Sequence, residues 1–189
     1  MTVDCETLGK DPDRFEPAVL PDPVSGRTTI LVTPLGDERL HEGRMHQTFA
    51  LNQAVDRLAP GVTLKLLPGT YYRAVSLSSK KGTAEKPIRI EGTADPDGTI
   101  RTHIIGTNAA GNIYPDLPDR SDYAFFKMRR CAHIEFSTLR AESCWPCFIY
   151  AESSKFLSFR RIDGKHGTYF FFFRGPWCHH LEIAECRWE

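Results

Sequence analysis

The sequence has no excess of charge of either sign: 24 Lys and Arg stand against 24 Asp and Glu. Such a chain has no overall field to draw it toward nucleic acid or an anionic membrane, so neither is expected as a partner. It also lacks an apolar run of roughly 20 residues, the length a membrane-spanning helix needs. Met1 to Pro17 is polar and acidic, and no apolar core of a signal peptide is visible in it. Six cysteines (Cys5, Cys131, Cys144, Cys147, Cys178 and Cys186) therefore occur without an export signal. They are expected as reduced thiols packed like small hydrophobes, not as a disulfide framework.

Helical periodicity is scarce as well. It occurs once, between Thr48 and Ala59, where Leu51, Val55 and Leu58 fall at i, i+4 and i+7 with Ala54 beside them. Thr48 is the expected N-cap and Pro60-Gly61 the stop, giving a helix over about 48–59. Residues 1–28, with Pro12, Pro17, Pro21 and Pro23, read as an irregular lead-in. Thr29–Thr33 is a β-branched run ended by Pro34-Leu35-Gly36. After residue 61 the pattern is strand and turn: Val62, Leu64 and Leu66 alternate with polar residues, as do Val75 and Leu77, then Ile88 and Ile90. A loop rich in Gly, Asn, Asp and Pro covers about 106–122.

These strands recur at a nearly fixed interval. Ile134/Phe136 returns as Leu157/Phe159 after 23 residues and as Leu181/Ile183 after 24 more. Phe125, Phe148 and Phe171 repeat at 23 and 23 on a second face. Leu64/Leu66 precedes Ile88/Ile90 by 24, which precedes Ile134/Phe136 by 46, two periods. A period in the low twenties with strands on every turn identifies a solenoid. The Leu-x-x-Leu-x-Leu frame of leucine-rich repeats is missing, which leaves a β-helix occupying 29–189. In such a stack equivalent residues sit about 4.8 Å apart and build a continuous apolar column. The Leu51/Val55/Leu58 helix is its expected lid.

Three strings carry a likeness to a known superfamily: the helix ending in Ala59-Pro60-Gly61, the turn Leu67-Pro68-Gly69-Thr70-Tyr71, and Gly82-Thr83-Ala84-Glu85-Lys86-Pro87-Ile88. The stretch from Ala50 to Gly92 resembles the opening of the pectin-lyase-like right-handed parallel β-helices, in the style of chondroitinase-B and alginate lyases. The resemblance implies an all-β, right-handed parallel β-helix with an N-terminal capping α-helix. It further implies a polysaccharide partner containing uronic acid and β-elimination chemistry, with Ca²⁺ as an implied cofactor. That chemistry needs a group that neutralises the uronate carboxylate, which Ca²⁺, Arg or Lys supplies, and a base within reach of the C5 proton.

The best cluster of such residue types is Arg160-Arg161-Ile162-Asp163-Gly164-Lys165-His166, and Arg161, Lys165 and His166 are the candidate neutraliser and base. The same spacing also predicts two charge ladders, Arg140/Asp163/Arg187 and Glu142/Lys165/Glu189, of the sort found on a solvated sheet. Trp145, Tyr150, Tyr169 and Trp177 form a candidate aromatic platform for sugar rings, with the run Thr168–Phe173 beside them. Cys144-x-x-Cys147 with Cys178-His179-His180 offers zinc-ligand types, although no βαβ context surrounds it and core thiols are the expected state. His133 and His180 read as ordinary strand-edge residues. The column of Phe136, Phe159 and Ile183 has no evident cover after the last strand, so a truncated product or self-association through that coil is expected. Two functions remain open at this point: a carbohydrate-active enzyme, as a lyase or hydrolase, and a non-catalytic binding or structural module of adhesin or tailspike kind.

Overall fold

The computed structural model describes residues 16–42, 44–106, 124–144 and 146–189. Among the described residues the protein is all-β, mostly parallel strands in stacked sheets, with one short helical segment. This arrangement is consistent with a β-solenoid. The main sheet runs through Arg27–Thr33, Val62–Leu66, Ile88–Glu91, Ala132–Glu142, Lys155–Lys165 and His179–Ala184, each parallel to the next. A second sheet stacks Val75–Ser78, Ala124–Arg129, Cys147–Glu152 and Tyr169–Arg174. Thr102–Ile105 and Arg187–Trp188 pair with the later halves of Ala132–Glu142 and Lys155–Lys165.

The register places one apolar residue of each coil above the next: Ile30, Leu64, Ile90, Phe136, Phe159 and Ile183. All but the last are buried, and Phe136 and Phe159 stack with ring centroids 5.5 Å apart. Alternation puts Ile88, Ile134 and Leu157 on the same interior side while Arg89, Glu135 and Ser158 face outward. Three spacings differ from those expected: Ile88 and Ile90 pair directly with Ile134 and Phe136, so the 46 residues between them make one turn and not two periods. Leu64 pairs with Ile90, not Ile88, so that coil is 26 residues long. A shift of two keeps every side chain on its own face, which is why the alternation gave no warning of it. In the second sheet, Cys147 pairs with Tyr169 and Ile149 with Phe171, an offset of 22. Phe148 therefore stacks on Phe170 at 5.7 Å, not on Phe171. The slip is tolerated because Phe170 and Phe171 both pack against the interior.

The coils bend at residues held at positive φ, and these too recur at the coil interval. His133, Phe156 and His180 have φ of 52°, 55° and 54°; Thr138, Arg161 and Glu185 have 59°, 53° and 55°; Arg130 and Ser153 have 53° and 50°. A non-glycine residue in this region costs about 1–3 kcal/mol and persists only where its surroundings fix it. Here the parallel register above and below each corner does so. This also settles the segment after Phe159: with Arg161 at a corner, Ile162 points inward and is buried while Asp163 is exposed.

The helix is shorter than its periodicity predicts. Leu51–Ala54 is α-helical and Val55–Arg57 continues as a 3₁₀ turn, with Leu51, Ala54, Val55 and Leu58 buried in the main core. Thr48 is not its cap. Its buried hydroxyl bonds Thr33 Oγ1 at 2.7 Å and donates to the Asp37 carbonyl. Ala50 takes the cap position instead, and its N–H donates to Gln53 Oε1 at 3.3 Å. The lead-in is also more ordered than expected over residues 16–28: Val19–Asp22 forms an antiparallel pair with Arg27–Ile30. Glu38–His41 and Arg44–Gln47 add a second antiparallel pair. Met1 to Phe15 and most of the 106–122 loop lie outside the described residues.

In the last coil the interior residues lose their cover. Ile183 is 51% exposed, while Phe171, Phe173 and Leu181 are only partly buried. Trp188 lies over part of this end. Its indole stacks on Phe170 at 4.7 Å and rests on Gly164, where a Cβ would come within 2.4 Å of Trp188 Cε3.

Candidate functional site

Arg161, Lys165 and His166 occupy one arm of the strand Lys155–Lys165 and the corner after it, but they serve different neighbours. Arg161 turns at its positive-φ corner and donates from Nη2 to the Gly98 carbonyl at 2.8 Å. That contact closes the Asp95–Thr99 turn, whose own bonds run from Asp95 N to Thr99 O and from Gly98 N to Asp95 O. Lys165 sits beside Glu142 in the register, with Nζ 3.4 Å from Glu142 Oε1. His166 Nδ1 lies 3.6 Å from the same oxygen. Arg140 likewise stacks beside Asp163, and Asp163 beside Arg187. The register thus aligns the first expected ladder and the Glu142/Lys165 part of the second.

The aromatic platform is dispersed. Trp145 lies outside the described residues. Tyr150 is buried: it stacks on Phe172 at 5.8 Å in a small apolar cluster with Ala124 and Cys147, separate from the main core. A covered ring offers no face to a sugar, so Tyr150 is withdrawn from the platform. Tyr169 is half exposed with its ring 5.7 Å from Phe172, and Trp177 is 67% exposed in the turn after Arg174. They flank opposite ends of the strand Tyr169–Arg174.

The cysteines do not converge. Cys144 belongs to the main core, where burial pushes its thiol up to about 12. Cys147 belongs to the separate outer cluster, and burial raises it to about 12 as well. Cys178 donates to the Ala151 and Arg174 carbonyls at 3.4 and 3.1 Å. Among the described residues no three His, Cys, Asp or Glu side chains form a metal-ligating group. The described residues therefore do not assemble the zinc arrangement.

A cleft lies elsewhere. His133, Phe156 and His180 occupy the same left-handed corner of three successive coils, with ring centroids 4.4 Å apart for the first pair and 4.5 Å for the second. His179 Nδ1 is 2.6 Å from His180 Nδ1, a separation that requires one of the two to donate. The turn carrying Thr83, Ala84 and Pro87 also lines the cleft, whose volume is about 190 Å³. Its floor is the outward row Glu135, Ser158 and Glu182. Arg89 Nε meets Glu135 Oε2 at 2.7 Å, Ser158 Oγ bonds Glu182 Oε2 at 2.9 Å, and Arg160 pairs with Glu182. Lys155 Nζ stands 5.6 Å from the Phe156 ring.

Such a lining combines the edge of a ring stack with hydroxyl, imidazole and carboxylate groups held in place by neighbours. None of Arg161, Lys165 and His166 lines it. His133 and His180 line this cleft, and positions 133, 156 and 180 are separated by the coil spacing itself. No helix among the described residues is long and apolar enough to cross a membrane. No protein-family model, no curated protein and no solved structure matches the chain.

Proposed function

We propose that this chain is a stretch of right-handed parallel β-helix of the pectin-lyase-like type, and that it binds polysaccharide in the His133–Phe156–His180 cleft without cleaving it. The parallel stacking supports the fold reading, with steps of 22–26 residues wherever no long loop is inserted between paired strands. The cleft lining carries the binding reading, because fixed Ser, His and Glu groups beside the edge of the Phe156 ring suit sugar hydroxyls. The non-catalytic form is favoured by the contacts of the candidate residues: Lys165 and His166 share Glu142, and Arg161 is spent on a backbone carbonyl. Binding assays against uronate and neutral polysaccharides test it. The expected result is retention on polysaccharide, loss of retention with Phe156→Ala, and no growth of ultraviolet absorbance from an unsaturated product.

The lyase reading has one observation in its favour, the gathering of cationic and basic side chains at 161–166 on one edge of the coils. If it holds, absorbance rises with time, Lys165→Ala and His166→Ala alter the pH–rate profile, and a Ca²⁺ chelator slows the reaction. An unchanged profile in both variants rejects that assignment.

A further inference from the structure

The second corner of the coils, between the two sheets, carries a cation on each of four consecutive turns. The strand ends Ser78, Arg129, Glu152 and Arg174 are aligned by pairing. The corner itself passes through Ser79, Arg130, Ser153 and Gly175, with φ of 57°, 53°, 50° and 92°. Beyond it, Lys81, Ala132, Lys155 and His179 are aligned again. Reading along the stack, the corner presents Lys80 and Lys81, then Arg129 and Arg130, then Lys155, then Arg174.

Lys81, Arg129, Arg130, Lys155 and Arg174 are exposed. Arg129 is held by Glu152 at 3.1 Å, the single carboxylate on these strand ends and corner positions, and Lys80 donates to the Asp56 carbonyl. Lys81, Arg130, Lys155 and Arg174 form no ion pair among the described residues. In a chain of balanced charge this is a local accumulation, not the background composition.

We infer that this corner is a binding strip for a linear anionic polysaccharide lying parallel to the coil stack, one negative group per coil. The inference rests on the carbohydrate reading above and extends it to a surface outside the cleft lining. Its basis is pitch. Stacked coils advance about 4.8 Å, a length close to that of one pyranose in an extended chain, so each sugar lies over one coil and meets its cation from the strand end, the corner or just beyond it. Lys155 joins strip and cleft, since its Nζ faces the Phe156 ring. Carboxylate and sulfate sugars share the chemistry required, and the test separates them. A nucleic-acid strand would also meet cations here, but its bases would find a single exposed ring, Trp177, and no row of them along this corner.

The experiment measures binding of the 189-residue chain to size-graded oligouronates, dextran sulfate, neutral dextran and a single-stranded oligodeoxynucleotide, at several salt concentrations. Affinity for the anionic saccharides is expected to rise with length up to about four sugars and then level. The charge reversal Arg130→Glu with Lys155→Glu is expected to weaken it at least about tenfold at low salt and to flatten the salt dependence by roughly 1.4 in slope, two contacts at about 0.7 each. Arg73→Glu, at the opposite end of the strand Val75–Ser78, is expected to change neither. Circular dichroism confirms folding, and Arg130→Gln with Lys155→Gln replaces the reversal if it misfolds. Parent-like binding by both double variants overturns the strip, as does equal or tighter binding of the oligonucleotide. If Phe156→Ala abolishes neutral-dextran binding while the double variants bind anionic chains like the parent, the cleft stands and the strip falls. If Phe156→Ala changes nothing while the reversal abolishes binding, the strip stands and the cleft reading falls. If the parent binds no saccharide, both fall.

Discussion

Replacing Phe159 by Ala and Ile183 by Ala deletes side chains from one column at two heights, and the structure assigns them very different costs. Phe159 is 0% exposed, with ring centroids of Phe136, Phe171 and Phe173 at 5.5, 4.6 and 5.9 Å. Enclosed on these sides, the space left by Phe159→Ala cannot collapse freely, and a cost of about 3–5 kcal/mol is expected. Ile183 is 51% exposed. Its truncation removes side-chain carbons already half in water and opens no closed cavity, so about 1 kcal/mol is expected. With a urea slope of about 2 kcal/mol/M, the first variant lowers the midpoint by roughly 2 M and the second by roughly 0.5 M. Urea titrations followed by circular dichroism decide the matter. Equal losses for the two variants would refute the reasoning, because they would mean that the last coil is packed as tightly as the middle of the stack.

Three other expectations follow from the same packing. Gly164→Ala brings a Cβ within 2.4 Å of the Trp188 ring and should displace it, red-shifting Trp emission and costing about 1–3 kcal/mol; unchanged emission and melting would mean that Trp188 does not rest there. Tyr71→Phe removes a buried hydroxyl that lies 2.9 Å from both the Val32 and Leu67 carbonyls, and a loss of about 0.5–1.5 kcal/mol in thermal or chemical unfolding is expected. The Cys144 thiol is raised by burial from its ordinary 9.0 to about 12, so above pH 9 the unfolded chain loses this proton before the folded one does. Stability is therefore full below about pH 9 and falls as pH rises toward 12, by roughly 1.4 kcal/mol per pH unit for this thiol. Cys147 acts in the same direction. Urea midpoints measured from pH 7 to pH 10 should fall less steeply in the Cys144→Ala, Cys147→Ala double variant; parallel curves would contradict the burial of these thiols.

Much of the fold could be read from residues alone because alternation and coil length both leave marks in the order of side chains. Ile134/Phe136, Leu157/Phe159 and Leu181/Ile183 pair as their spacing predicts. Such counting failed where loops absorbed residues. The 26-residue coil moved Leu64 from Ile88 to Ile90 without disturbing the faces, and the 22-residue coil moved Phe148 from Phe171 to Phe170. The helix was overextended because its apolar stripe includes Leu58, which is buried as extended backbone after the 3₁₀ turn.

The candidate site was less legible. Residue types drew attention to Arg161, Lys165 and His166, yet type does not report a partner; Glu142 and the Gly98 carbonyl lie 23–63 positions away in the chain. Tyr150 is aromatic in any reading, and only packing against Phe172, Cys147 and Ala124 shows it covered.

The order of residues by itself determined the strand class, the coil interval and the apolar column, since these follow from alternation, which is local, and from repetition, which can be counted. Tertiary structure alone decided which outward residues meet. His133, Phe156 and His180 become a ladder only when three coils stack in register. The turn Thr83–Pro87 becomes a cleft wall only when it is folded over that ladder. Lys81, Arg130, Lys155 and Arg174 are scattered along the sequence and lie along one edge because parallel pairing holds equivalent corners a fixed short distance apart.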